Sequence, residues 1–285
     1  VQRRKIAMVW DLDDPFWYPA TKQAYRTAKI LNFDITVFAP KGRGEAGTLE
    51  MVHFLKKVLE ERYDGICISP IADLRVEKLL QKMAEKGVEV IFILSAFDSV
   101  PYRTLIGTDS YQCGRSTGEA VREALGADGA VGIIKWKDNL IETVEDRYHG
   151  VVDVLKENRI PYYDMTGPGE PTAEEATKLT DRLLTEHPDI SVLCATNVGW
   201  GLAFARYLKS KGKKVKLVTV DFTDEVGEFM KAGYVDAAIA QRPESWGSMT
   251  LEKIEAVFEG QSIPKTIDTG TYPVTPANIR IYVKD

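Results

Sequence analysis

Short runs of apolar residues alternate along the whole chain with longer segments whose apolar residues recur every three or four positions. Short apolar runs are typical of buried strands, and the longer spacing is typical of amphipathic helices. The pattern predicts strands near residues 5–10, 34–38, 64–69, 88–94, 104–107, 129–136, 160–164, 190–195, 215–220 and 236–240. It predicts helices near residues 15–32, 47–62, 73–87, 110–126, 142–158, 173–187, 199–211, 223–232 and 243–259. This alternation favours parallel sheets built from β-α-β units.

The order of elements restarts near residue 130. Residues 131–136 (Val-Gly-Ile-Ile-Lys-Trp) are similar to residues 6–10 (Ile-Ala-Met-Val-Trp), and residues 191–194 are similar to residues 65–68. This repetition predicts two similar α/β lobes. No stretch rich in Pro, Ser or Gly surrounds residues 106–109, so we expect the chain to pass between the lobes in extended form. A cleft between two lobes is the natural place for a ligand.

Composition and charge exclude several classes of protein. The 285 residues are 44% hydrophobic, which is enough to form the cores of two domains. With 37 Lys and Arg against 42 Asp and Glu, the net charge is −5, so no overall basic field favours nucleic acid or anionic lipid. No DNA-binding headpiece is recognisable. The longest apolar runs, such as residues 90–94, are strand-sized, whereas a membrane-spanning helix needs about 20 apolar residues.

The cysteines and the start of the chain bear on the compartment. Cys67, Cys113 and Cys194 show no CxxC spacing, and two of them lie in apolar, strand-like runs. We therefore expect buried free thiols and not a structural disulfide. The chain begins at Val1 without an apolar leader, which leaves two explanations open: a targeting segment has been removed, or the chain has been shortened.

Polar and aromatic side chains follow several of the predicted strands. The segments concerned are residues 11–17, 136–139, 196–197, 221 and 241–243. In open α/β sheets, ligands bind beyond the carboxyl ends of the strands. Flat rings cover the C–H faces of a polyhydroxylated molecule, and carboxylate, amide and guanidinium groups bind its neighbouring hydroxyls. The sequence therefore indicates a site for a small polyhydroxylated ligand.

Other motifs suggest catalysis or cofactor binding but lack the context that these functions require. Residues 42–47 match GxGxxG, yet they follow the second strand and no acidic residue closes a strand at the right distance, so a surface loop is preferred. Residues 114–118 match GxSxG within a predicted helix, so we expect Ser116 to pack that helix. The three histidines lie on different helices without metal-ligand spacing. We expect no enzyme activity, no metal ion and no cofactor.

The chain resembles the sugar-binding class of periplasmic binding proteins, the ribose-binding-like solute receptors of ABC transporters. The similarity extends over nearly the whole chain and rests on several separated segments. They are Asp14-Pro-Phe-Trp17, Asp64-Gly-Ile-Cys-Ile-Ser-Pro70, Gly107-Thr-Asp109, Glu145-Asp-Arg147 followed by Gly150, His187-Pro-Asp189, Ala195-Thr-Asn197, Val220-Asp221 and Ile239-Ala-Gln241.

The resemblance implies the type I periplasmic-binding-protein fold, an α/β fold of two similar doubly wound parallel-sheet lobes joined by a three-strand hinge. The hinge crossings would lie near residues 107–109, 240–243 and 267–271. The N-terminal lobe would comprise residues 1–108 and 242–268, and the C-terminal lobe residues 109–241 and 269–285. Each lobe would thus be assembled from separate parts of the sequence.

The resemblance also implies roles for individual residues. Phe16 and Trp17 would sandwich the ligand ring, and Asp14 would bind hydroxyls. The other expected ligand contacts are Ser95, Thr108, Arg147, Asn197, Asp221 and Gln241, with Trp136 as a further aromatic residue in the cleft.

The same residues admit simpler structural interpretations. Asp14, Asn197 and Asp221 suit the N-caps of helices. Phe16 and Trp17 could be core aromatic residues, Arg147 a solvated helix charge, and Gln241 a hinge residue.

The sequence departs from the family pattern after the strand at residues 88–94. Many sugar receptors carry an Asp-Arg pair there, whereas this chain has Leu94 and Ser95. The first loop is more acidic than usual, and Trp200 follows Asn197 where the family often has an acidic stretch. We therefore expect a ligand that is less hydroxylated than a pentose, or that carries an amine or a bulkier apolar part.

The expected function is that of an extracytoplasmic solute-binding protein of an ABC transporter, which closes two lobes around a sugar, a polyol or a related small molecule. The alternative is a ligand-sensing domain of the same fold that serves a histidine kinase or a transcription regulator. The expected partner is a membrane permease or a sensor kinase, with no nucleic acid, and the chain is expected to be a monomer. The resemblance implies a periplasmic location, or a lipid-anchored one outside the cytoplasm.

Overall fold

The computed structural model describes residues 3–13, 15–126, 128–136, 142–168 and 171–282. The strands are β1 (Lys5–Val9), β2 (Asp34–Phe38), β3 (Gly65–Ile68), β4 (Glu89–Ile93), β5 (Thr104–Gly107), β6 (Ala130–Trp136), β7 (Tyr162–Gly167), β8 (Ile190–Ala195), β9 (Lys216–Val220), β10 (Ala237–Ala240), β11 (Thr266–Asp268) and β12 (Tyr272–Val274). The helices are α1 (Tyr18–Leu31), α2 (Gly44–Glu60), α3 (Leu74–Glu85), α4 (Ser110–Leu125), α5 (Glu142–Glu157), α6 (Ala173–Glu186), α7 (Val198–Lys211), α8 (Asp224–Lys231) and α9 (Pro243–Phe258).

The chain forms two compact units, each assembled from separate parts of the sequence. Unit 1 comprises Val1–Thr108 and Arg242–Thr269, and unit 2 comprises Asp109–Gln241 and Gly270–Asp285. The sheet of unit 1 has the strand order β11-β5-β4-β3-β1-β2, and that of unit 2 has the order β12-β10-β9-β8-β6-β7. The recorded strand pairs are parallel apart from β12, which is antiparallel to β10. The predicted class, two α/β lobes with mainly parallel sheets, is confirmed.

Apolar side chains cover both faces of each sheet. In β1, Ala7 and Val9 belong to one buried cluster and Ile6 and Met8 to another, because successive side chains of a strand point to opposite faces. Burial of both faces explains why the strands appear in the sequence as continuous apolar runs.

Helix α3 shows how the local pattern forms a helix. Asp73 caps its start, since the side chain accepts a hydrogen bond from the Arg75 N–H at 2.8 Å. The helix buries its apolar face, Val76, Leu80 and Met83, against unit 1. It ends just before Gly87, whose φ of 81° is one that glycine adopts without steric cost.

The structure differs from the prediction at short elements. The strands β11 and β12 were not predicted, because three residues are too few to show a period. The segment Pro15–Trp17 is a short 3-10 helix, and α1 begins only at Tyr18. The strand predicted at residues 160–164 is β7, which extends to Gly167.

Within the described ranges, none of the helices combines the length and apolarity needed to cross a lipid bilayer.

The three cysteines are free and buried, as predicted. Burial raises the pKa of Cys113 to about 11 and that of Cys194 to about 12, and it raises the pKa of Cys67 still further. Because the thiolate is the reactive form, we expect a thiol reagent at neutral pH to leave the native protein unmodified and to label three thiols after denaturation. Rapid labelling of the native protein, followed by mass spectrometry, would contradict this placement.

Candidate functional site

A buried polar pair in unit 2 follows β9 and β10. Asp221 is the first residue after β9, and Gln241 is the first after β10. The Asp221 carboxylate accepts a hydrogen bond from the Gln241 amide at 2.7 Å, and both residues are more than nine-tenths buried. The Asp221 N–H also donates to the Ile239 carbonyl at 2.9 Å. The pair thus fixes a carboxylate and an amide at the carboxyl edge of the sheet.

Arg147 reaches the same edge from α5. Its side chain is 6% exposed, so the interpretation as a solvated charge is wrong. One guanidinium nitrogen is 3.4 Å from the carbonyl oxygen of Thr196, the first residue after β8. The Arg147 Nε and the Gln241 Oε1 are buried without a hydrogen-bond partner among the described residues. Buried polar groups are normally paired, so both atoms are suited to binding a polar ligand.

The backbone of Arg147 is held by close helix packing. A Cβ placed on Gly114 of α4 would lie 2.1 Å from the Arg147 carbonyl oxygen, so only glycine fits. A Cβ placed on Gly150 of α5 would likewise lie 2.3 Å from the Tyr111 carbonyl oxygen of α4. The two helices therefore touch through glycine, and this contact sets the position of Arg147.

Asn197 and Trp136 are also placed at this edge of unit 2. Asn197 caps α7, because its side-chain oxygen accepts a hydrogen bond from the Trp200 N–H at 2.8 Å. Trp136 is the last residue of β6 and is half-buried, and its indole N–H has no partner in the part of the chain described. Residues 137–139, which the sequence also assigns to the site, lie outside the described residues. Arg147, Asn197, Asp221 and Gln241 are called the polar edge below.

The charges of the polar edge act on Cys113 of α4. Burial dominates its raised pKa, the positive charge of Arg147 opposes the rise, and the negative charge of Asp221 adds to it. Burial also raises the pKa of Asp146, the residue before Arg147. Arg147 and Asp221 thus both lie close enough to Cys113 to shift its titration.

The first loop of unit 1 places Trp17 among other aromatic rings. This ring is 3% exposed, it stacks on Trp10 with ring centroids 4.9 Å apart, and it contacts Trp246. Trp17 thus packs among aromatic residues of unit 1, as the core interpretation has it, and its contact with a ligand stays a prediction. Phe16 is half-buried, lies edge-on to Trp17 and also contacts Trp246. Asp14 lies outside the described residues.

Ser95 and Thr108 follow β4 and β5 of unit 1. Ser95 is half-buried, and its N–H donates to the Ile93 carbonyl at 2.8 Å. Thr108 is 6% exposed, and its hydroxyl has no hydrogen-bond partner among the residues that the structure describes. The Ser110 hydroxyl in unit 2 is in the same situation, although it was not predicted. Its place directly after Gly107-Thr-Asp109 is the sequence signal that could have found it.

Two further expectations are corrected by the structure. Ser116 is exposed on α4 and does not pack the helix, since Gly114 and Gly118 make the close contacts. Trp200 is a core residue, 1% exposed, whose indole N–H donates to the Pro168 carbonyl at 2.9 Å. It therefore gives no support to a bulky apolar ligand.

The GxGxxG segment belongs to the start of α2 and is not a free surface loop. The carboxylate of Glu50 accepts hydrogen bonds from the N–H groups of Lys41 and Gly42 at 2.9 and 3.3 Å. A dinucleotide phosphate would need such backbone N–H groups, and a carboxylate that already holds them would repel it. Among the described residues, no group of three or more His, Cys, Asp or Glu side chains could hold a metal ion.

The polar edge lies at the carboxyl ends of the strands in one of two similar α/β sheets, which is where open α/β sheets bind small molecules. The family model "Periplasmic binding protein domain" matches residues 6–262. The chain therefore belongs to the periplasmic binding protein domain family.

Individual relatives agree with this assignment. The chain is 20% identical to the ribose import binding protein of Bacillus subtilis over 263 residues, covering 90% of this chain and 82% of the relative. It is 25% identical to the ribose import binding protein of Haemophilus influenzae over 264 residues, covering 90% and 86%.

Solved structures are similar in fold. An ABC transporter solute-binding protein from Burkholderia graminis, in complex with D-arabinose, superposes with a TM-score of 0.86 at 23% identity, covering 99% of this chain and 98% of the other. An arabinose-binding protein from Geobacillus stearothermophilus gives a TM-score of 0.86 at 22% identity, covering 99% and 100%.

Proposed function

We propose that this chain is the sugar-binding or polyol-binding receptor of an ABC transporter, that it acts outside the cytoplasm, and that it delivers its ligand to a membrane permease. In this proposal it binds without catalysis and acts as a monomer. The proposed ligand contacts are the polar edge and Trp136 in unit 2, and Asp14, Phe16, Trp17, Ser95 and Thr108 in unit 1. The names of the relatives support a transporter partner over a kinase or a transcription regulator.

One observation carries the proposal. The buried Arg147 Nε and Gln241 Oε1 offer a donor and an acceptor at the edge where the Asp221 carboxylate is held. Neighbouring hydroxyls of a sugar present donors and acceptors in turn, so a guanidinium, a carboxylate and an amide can satisfy them together.

A thermal-shift screen tests the proposal. The purified protein is unfolded and refolded to remove carried-over ligand, then heated with pentoses, hexoses, polyols, amino sugars and small amines. A ligand at about 1,000 times its Kd stabilises the protein by about 4 kcal/mol, so a specific ligand raises the melting temperature clearly. Low millimolar concentrations keep the general stabilisation by excluded sugars small.

We expect a selective shift with one group of sugars or polyols. The Arg147→Ala variant serves as the control, because a shift that depends on the polar edge is lost in it. A panel in which no sugar or polyol raises the melting temperature contradicts the proposed function.

A further inference from the structure

Five strands follow the same order in the two sheets, so strand register relates the residues at their ends. The strands β3, β4 and β5 lie side by side in unit 1 as β8, β9 and β10 do in unit 2. Ile93, the last residue of β4, pairs with Ile106 of β5. In the same way Val220, the last residue of β9, pairs with Ile239 of β10.

This register makes Leu94 the counterpart of Asp221. The Leu94 N–H donates to the Ile106 carbonyl at 3.0 Å, and the Asp221 N–H donates to the Ile239 carbonyl at 2.9 Å. Both residues have left-handed backbone conformations, with φ of 65° and 69°. The two units therefore share this backbone feature and differ in its side chain, a carboxylate in unit 2 and an isobutyl group in unit 1.

Two more positions of the polar edge have counterparts after the strands of unit 1. Asn197 is the second residue after β8, and its counterpart, the second residue after β3, is the buried Pro70. Gln241 corresponds to Thr108, the first residue after β5. Unit 1 thus has the apolar ring of Pro70 where unit 2 has the Asn197 amide. It keeps a polar group, the Thr108 hydroxyl, where unit 2 has the Gln241 amide.

The counterpart of Arg147 follows from helix packing. A Cβ added to Gly114 of α4 would lie 2.1 Å from the Arg147 carbonyl oxygen of α5. In unit 1, a Cβ added to Gly247 of α9 would lie 1.9 Å from the Ala20 carbonyl oxygen of α1. Ala20 is fully buried. Where unit 2 has a guanidinium group, unit 1 has a methyl group.

We propose, resting on the function proposed above, that the ligand is a partly deoxygenated sugar or polyol. A methyl or methylene part of this ligand contacts Leu94 of unit 1, the position that corresponds to Asp221 of unit 2. Leu94 and Phe16 are both half-buried and pack against the same apolar cluster of unit 1. Leu94 thus presents an apolar surface at the position where unit 2 presents its carboxylate.

Two physical reasons connect this surface to a deoxygenated ligand. A hydroxyl that is pressed against Leu94 loses its water and gains no hydrogen bond, whereas a methyl group there is removed from water favourably. Leucine also adopts a left-handed conformation less readily than Asp or Asn. Local backbone preference therefore does not explain the leucine at this position.

Titration calorimetry on the refolded protein tests the inference with sugars that differ by one hydroxyl. L-Rhamnose against L-mannose and L-fucose against L-galactose are the first pairs, followed by deoxy analogues of whichever sugar binds best in the thermal screen. We expect the deoxygenated member of the best-binding pair to bind at least about tenfold more tightly.

The Leu94→Asp variant gives unit 1 the same carboxylate side chain that Asp221 provides at the equivalent position of unit 2. Asp tolerates the left-handed conformation, so the variant is expected to fold. We expect it to reverse the preference and favour the hydroxylated member of the pair. The matched control is Leu74→Asp, at an exposed leucine of α3, which should leave the preference unchanged.

Each other outcome has a defined meaning. If the wild-type protein binds the hydroxylated members equally well or more tightly, the deoxy-sugar inference is wrong and the proposed function stands. Tighter binding of an amino sugar such as D-glucosamine than of any deoxy sugar also overturns the inference, in favour of an amine-bearing ligand. If no sugar or polyol binds, the proposed function fails and the inference fails with it.

Discussion

Replacing Arg147 by alanine is expected to weaken ligand binding by about 100-fold or more, which corresponds to about 3 kcal/mol. The side chain is almost fully buried and brings a charged donor to the polar edge. Its removal leaves ligand hydroxyls without a partner in a site from which water is largely excluded, and such unpaired groups carry most of the cost. Titration calorimetry with the best ligand of the thermal screen measures the effect.

The control for this variant is Arg115→Ala. Arg115 lies on α4 and forms an ion pair with Glu157 of α5 at 2.8 Å, on the surface of the same helix pair. An exposed pair of this kind contributes little, so its loss should leave the affinity unchanged. Arg147→Lys keeps the charge but loses the planar fork of donors, and an intermediate affinity is expected. Affinity of Arg147→Ala equal to that of the wild type would remove Arg147 from the site.

The sequence predicts the elements well where the pattern is long and local. The helix α3 and the strands β1 and β4 follow from apolar spacing alone, since burial of one helix face or of both sheet faces produces that spacing. Edge strands of three residues, such as β11, are specified by the strand with which they pair, here β5. They carry no period that a sequence can show.

The site residues show a similar limit. The residue types after β9 and β10 indicate Asp221 and Gln241, because strand ends meet at one edge in a parallel sheet. The burial of Trp17 depends on Trp246, which is remote in sequence and reaches the first loop only through the packing of α9 on α1. Asn197 shows that a helix cap and a site position can coincide, so a structural role does not exclude a functional one.

The correspondence between Leu94 and Asp221 is the part that local sequence could not provide. The two segments, Ile-Phe-Ile-Leu94 and Val-Thr-Val-Asp221, share only their apolar character. Strand register and the shared left-handed backbone align them, and these depend on hydrogen bonds between strands that are far apart in sequence. The difference between the two units therefore becomes visible only once each sheet is assembled.

Replacing Gly114 by alanine is expected to lower the free energy of unfolding by about 2 kcal/mol or more. The added methyl group would lie 2.1 Å from the Arg147 carbonyl oxygen and 2.8 Å from its carbonyl carbon. Backbone atoms cannot turn away as a flexible side chain does, so α4 and α5 must separate. We also expect weaker ligand binding, because the same displacement moves Arg147 away from the polar edge.

The matched control is Gly199→Ala in α7. The nearest neighbour of its new methyl group would be the Asn197 side-chain oxygen at 3.5 Å, an ordinary contact, and alanine favours a helix over glycine by up to about 1 kcal/mol. Urea unfolding should therefore give a lower midpoint for Gly114→Ala and an equal or higher one for Gly199→Ala. If Gly114→Ala unfolds at the wild-type midpoint, the helices do not touch through this glycine. The position of Arg147 must then be set by its own side-chain contacts, with the Thr196 carbonyl as the first to test.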